Sequence, residues 1–134
     1  GSPRMNFIEA RVVAGDAGGL TLQIGAGETV SVPVDASALE IGVTVTLGLR
    51  PEHMHPVAPD SAECRMTRAV RQVERFGEYS YVYLTGDSAE ALIAKVPGDC
   101  YARCGEAMSF GFDPAHCHVF DAEGLALPRL SDND

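Results

Sequence analysis

The sequence predicts an all-β protein, a small barrel or a pair of fused barrels of short antiparallel strands. Two observations carry this. Roughly nine short apolar-alternating runs recur every eight to twelve residues or so. Glycine, proline, aspartate and serine clusters separate them, and hardly any stretch keeps a helical period.

Asn6 to Ala14 is rich in β-branched residues and runs into the turn cluster Gly15-Asp16-Ala17-Gly18-Gly19. Leu20 to Ile24 alternates apolar with polar. Gly25-Ala26-Gly27 then turns the chain into Thr29 to Val34, where Val30, Val32 and Val34 share a face. Asp35 to Glu40 opens on a capping-type aspartate and stops before Gly42, which predicts a single helical turn. Val43 to Leu49 is a strand that must end at Pro51, because proline has no N–H to give to a ladder. His53 to Glu63, with Pro56 and Pro59, reads as a surface loop. Cys64 to Phe76 fits an extended or a helical spacing. Gly77 followed by the alternating Tyr79, Tyr81 and Tyr83 favours a bent hairpin, so it is read as strand. Ala91 to Val96, Ala107 to Phe112 and Cys117 to Asp121 complete the series, and residues 131–134 are expected to fray.

The chain has 134 residues, enough for one domain that buries roughly two thirds of its unfolded surface. Charged residues make up 22% and apolar residues 46%, which is ordinary globular usage. No apolar run approaches the roughly 18 residues of a membrane-spanning helix, so a cytosolic piece is expected. The net charge of −9, the single lysine Lys95 and the lack of tryptophan oppose a nucleic-acid partner, which asks for basic residues interleaved with aromatics.

Arg50, Glu52 and His53 stand at a strand end, where they either pair among themselves or form a rigid contact point for another domain or subunit. The tyrosine series forms an outward stripe over a core of Val82 and Leu84, and aromatic stripes mark interface centres. The pattern Gly-x-x-x-x-Gly-Lys-Ser/Thr is missing, so the chain cannot cradle nucleotide phosphates in that way. His116-Cys117-His118 with Cys100 and Cys104 offers zinc-acceptable donors, yet the spacing is not that of a finger, and no metal is expected. His53 or His55 beside Glu52, with Ser61 or Cys64 as nucleophile, lacks any distinctive catalytic spacing. Cys64, Cys100, Cys104 and Cys117 are read as thiols in the absence of a secretory signal.

Three motifs occur in one order: Gly1-Ser2-Pro3-Arg4-Met5-Asn6-Phe7, Gly48-Leu49-Arg50-Pro51-Glu52-His53 and His118-Val119-Phe120-Asp121. With Val73 to Glu78, Tyr81 to Leu84 and Phe112-Asp113-Pro114, they resemble the C-terminal regulatory domain of the ATP-binding subunit of maltose-type sugar ABC importers, of the transport-associated OB (TOBE) class. The resemblance implies an OB-like barrel over residues 6–130, with residues 1–5 a linker from a nucleotide-binding domain or a tag remnant. It implies a non-catalytic regulatory and dimer-holding role, with ATP and magnesium bound in the parent's other domain. Implied partners are a second subunit, that nucleotide-binding domain, the transporter's membrane subunits and a regulatory protein, at the cytoplasmic side of the inner membrane. Arg50, Glu52 and His53 would make contacts across domains, with Gly77 and Asp121 shaping nearby turns. The alternative is a sensor of a small oxyanion or sugar, with Arg50 and Arg75 as anion contacts.

Overall fold

Alternation of side chains decides which residues face inward. In the first strand, β1 (Asn6–Asp16), Ile8, Ala10 and Val12 are buried while Phe7, Glu9 and Arg11 are not. The structure, a computed structural model, describes residues 4–25, 27–88 and 90–130. The linker expected over residues 1–5 is thus described only at its end, and the expected tail at 131–134 lies outside the described residues.

Nine more strands follow: β2 (Gly19–Ile24), β3 (Glu28–Val32), β4 (Thr44–Leu49), β5 (His55–Val57), β6 (Arg65–Arg75), β7 (Tyr79–Leu84), β8 (Leu92–Pro97), β9 (Ala107–Gly111) and β10 (His118–Phe120). They form two five-stranded sheets, ordered β10-β4-β1-β2-β3 and β5-β9-β6-β7-β8. The described chain divides into two compact units. The first takes the residues up to Asn6 and Leu49–Asp113, and the second takes Phe7–Gly48 and the chain from Pro114 onward.

The second unit buries Leu20, Leu22, Ile24, Val30, Val32, Val34, Leu47 and Val119, the inward set of its strands. Its seam is backbone. After β10 the chain turns on Asp121, whose carboxylate accepts the N–H groups of Glu123 and Leu125 at 2.9 Å each. It then returns between the two edges of the sheet: Leu127 N–H donates to Val119 O, Leu130 N–H donates to Pro33 O, and Pro128 O accepts from Asp35 N–H. Asp35 to Glu40 holds a single hydrogen-bonded turn, Leu39 N–H to Ala36 O at 3.0 Å, rather than the expected turn of helix. Asp35 instead accepts from the N–H and the hydroxyl of its neighbour Ser37, which closes a tight local turn.

The first unit buries Met66, Val70, Val82, Leu84, Ala94, Val96 and Phe110. Part of the expected loop from His53 to Glu63 is a strand, β5, paired with β9 so that Pro56 lies opposite Phe110. An edge strand tolerates Pro56 because only one side of it needs donors. The unit is closed by a side chain. Asn6, 5% exposed, donates to Ile93 O and accepts from Ile93 N–H at 2.8 Å each, and its amide also meets Met54 Sδ at 3.4 Å. At the other end of β8, Pro97 has no N–H and its carbonyl is taken by Cys100 N–H.

Candidate functional site

The outward residues of β6, β7 and β8 converge on one solvent face of the first unit. Register places Glu74 opposite Tyr81 and Gln72 opposite Tyr83, while across the other ladder Lys95 lies opposite Tyr81 and Pro97 opposite Tyr79. Because Ser80, Val82 and Leu84 point inward, all three strand tyrosines must point out.

Gly77, with φ of +91°, makes the bend that brings Phe76 back over β7, and Phe76 N–H donates to Tyr79 O. The approach behind this bend is tight. A Cβ on Gly98 would sit 1.8 Å from Gly77 O, so no side chain fits there. Phe76 stacks on Tyr79 at a centroid distance of 5.1 Å and meets Tyr81 edge-on at 5.3 Å, and Tyr79 and Tyr81 are themselves 5.3 Å apart. Lys95 Nζ lies 4.7 Å from the Tyr79 ring centre.

Carboxylates border the rings. Tyr83 donates its hydroxyl to Glu74, and this bond, with burial and the Glu74 charge, raises the phenol above its ordinary value. Tyr81 is raised too, by burial first, then by Tyr79 and by the charges of Glu52 and Glu74. Glu52 therefore belongs to the electrostatic surroundings of the tyrosine face.

Of the residues singled out in the sequence, Arg50, Glu52 and His53 occupy the end of β4 and the 3₁₀ turn Pro51–His53, which packs against β8. Arg50 and Glu52 are exposed and form no ion pair with each other. Gly77 heads the hairpin of the ring cluster, whereas Asp121 lies in the second unit, where it orders the turn into the returning segment. Arg75 donates to Cys100 O and Ala102 O at 3.5 and 3.3 Å, which commits its guanidinium to a loop. Among the described residues no group of three His, Cys, Asp or Glu side chains is disposed to hold a metal ion. Glu74 and Lys95 are the residues of this face that sequence reasoning passed over. Their signal was the alternation itself, since a hairpin that points Tyr79, Tyr81 and Tyr83 outward must align outward residues of its neighbours.

Comparison with known proteins gives a consistent likeness. A family model described as the MalK OB fold domain matches residues 1–54, and one described as the TOBE domain matches residues 47–120. The maltose/maltodextrin import ATP-binding protein MalK of Aliivibrio fischeri (strain ATCC 700601 / ES114) is 31% identical over 97% of this chain and 35% of its own length. Its counterpart from Vibrio vulnificus (strain YJ016) is 32% identical over the same shares. The chain thus spans 35% of the length of these curated relatives. A crystal structure of the cytoplasmic molybdate-binding protein ModG, with molybdate bound, matches with a TM-score of 0.70 over 90% of this chain and 95% of that one. At 15% identity this is a likeness of fold.

Proposed function

The chain belongs to the TOBE-domain family, and from that membership we propose that it is the regulatory and dimer-stabilising domain of the ATP-binding subunit of a sugar importer, non-catalytic by itself. The observation that carries the reading is that the likeness to import ATP-binding proteins runs through 97% of the chain and therefore includes both units. The sequence also lacks the glycine-rich lysine loop that would hold ATP phosphates, so ATP and magnesium belong to another part of the parent. Two such domains held together keep their attached ATP-binding domains at high effective concentration, and each closure becomes an intramolecular event. In this reading the remaining partners are the importer's membrane subunits, reached through the ATP-binding domain, and a regulatory protein. The site of action is the cytoplasmic face of the inner membrane, and within the described residues no helix is long and apolar enough to cross a membrane.

Sedimentation of the purified chain over a range of concentrations tests the dimer, and an ATPase assay on the same material tests the lack of catalysis. A concentration-dependent dimer without hydrolysis is expected. A strict monomer, or turnover of ATP by the chain alone, overturns the reading. Calorimetry with molybdate, sulfate, glycerol phosphate and maltose addresses the sensor alternative, for which saturable micromolar binding is required.

A further inference from the structure

We propose that the tyrosine face of β6, β7 and β8 is a docking surface for a protein segment that presents arginine side chains. The inference deepens the proposed function, and it rests on the chain being a non-catalytic docking module. Phe76, Tyr79 and Tyr81 pack into a triangle with centroids 5.1 to 5.3 Å apart, while Phe76 stays 51% exposed. Rings that already hold one another lose little freedom when a partner covers them, which is what an interface centre requires.

The chemistry around the rings selects the partner. Lys95 sits over Tyr79, so a ring of this cluster already accepts a cation on its face. Glu74 is fixed by the Tyr83 hydroxyl and lies opposite Tyr81 in the ladder. An arginine both stacks on aromatic faces and forks onto carboxylates, whereas a lysine does only part of this.

Two other occupants fit less well. A strand added to β8 finds Ile93 already engaged on both backbone groups by Asn6, and no N–H at Pro97. A second copy seated face to face on this surface would bring like groups together, Glu74 towards Glu74 and Lys95 towards Lys95. A basic partner meets neither obstacle.

The chain has no tryptophan and 4 tyrosines, of which Tyr79, Tyr81 and Tyr83 lie on this face, so tyrosine emission reports directly on its occupancy. The whole chain is titrated with a short peptide of alternating arginine and glycine, with the same peptide carrying citrulline for arginine, and with maltotetraose. The arginine peptide should give a saturable change, weakened about tenfold by Phe76→Ala and by Glu74→Gln and left intact by Tyr101→Phe. The citrulline peptide should give none. Equal binding by Phe76→Ala, equal binding of the citrulline peptide, saturation by maltotetraose alone or the lack of any saturable change each overturns the proposal. Sedimentation of the same samples reads self-association separately. A monomer that binds the peptide therefore removes only the dimer part of the function, and a dimer that ignores the peptide removes only this inference.

Discussion

Two five-stranded units in one chain close their sheets by different means. In the first, the edge of β8 is sealed by the side chain of Asn6, a single buried amide that stands in for a strand at Ile93. In the second, a whole returning segment is laid along both open edges and bonds through its backbone. A side-chain seal concentrates its effect in one residue. A backbone seal spreads it over several and depends little on which side chains they carry.

Removing residues 126–130 tests this difference hardest. It deletes the backbone bonds to Val119, Pro33 and Asp35 and exposes the apolar edge beneath them, at a cost of about 4 kcal/mol. Hydrogen exchange should rise throughout the second unit, while the amides of β7 and β8 keep their protection. Equal loss in both units would mean that they do not open independently.

Asn6→Ala is the counterpart in the first unit. It leaves the part-buried N–H and C=O of Ile93 without their side-chain partner, which costs about 2 kcal/mol in urea unfolding. The Ile93 amide should show the steepest gain in exchange. By contrast, single alanines at Leu127 or Leu130 should cost about 1 kcal/mol or less, since both side chains are only partly covered and the backbone bonds persist. A Leu127→Ala loss as large as that of Asn6→Ala would break the distinction.

Asp121→Ala should cost about 1 kcal/mol, because the turn loses the acceptor of two N–H groups before the returning segment begins. The smallest effect is one of pH. The N–H of Ser37, then its hydroxyl, hold the Asp35 carboxyl below its ordinary 3.8, beside the point where Asp35 N–H joins Pro128. A carboxyl depressed by folding stabilises the fold above its unfolded value and ceases to do so as pH falls through the folded one. Acid unfolding curves should show a slight loss below about pH 3.8 that Asp35→Asn removes.

Much of this architecture was legible because alternation is a local signal. Val30, Val32 and Val34 alternate onto one face, and all are buried. The tyrosine stripe over Val82 and Leu84 was equally plain. The seals were not legible. An asparagine at a strand start carries no mark of its distant partner at Ile93, and the segment from Leu125 to Leu130 has neither alternation nor branching to suggest that it bonds two edges. Asp35 misled for a related reason, since an aspartate that accepts from a residue just ahead begins helices and isolated turns alike. At the candidate site, the sequence marked Glu52, Gly77 and the tyrosines separately. Only register across three strands brings Glu74 and Lys95 to the tyrosines, and only the bend at Gly77 folds Phe76 onto them.

The clamp at Asn6 has an arithmetical corollary. Asn6 and Ile8 are both inward residues of β1, yet Asn6 serves the first unit and Ile8 the second. The alternation that turns Asn6 inward is the one that buries Ile8, Ala10 and Val12 farther along the same strand. Inserting one residue between Asn6 and Ile8 would turn one of the two to the solvent face of β1, while inserting two would restore the parity.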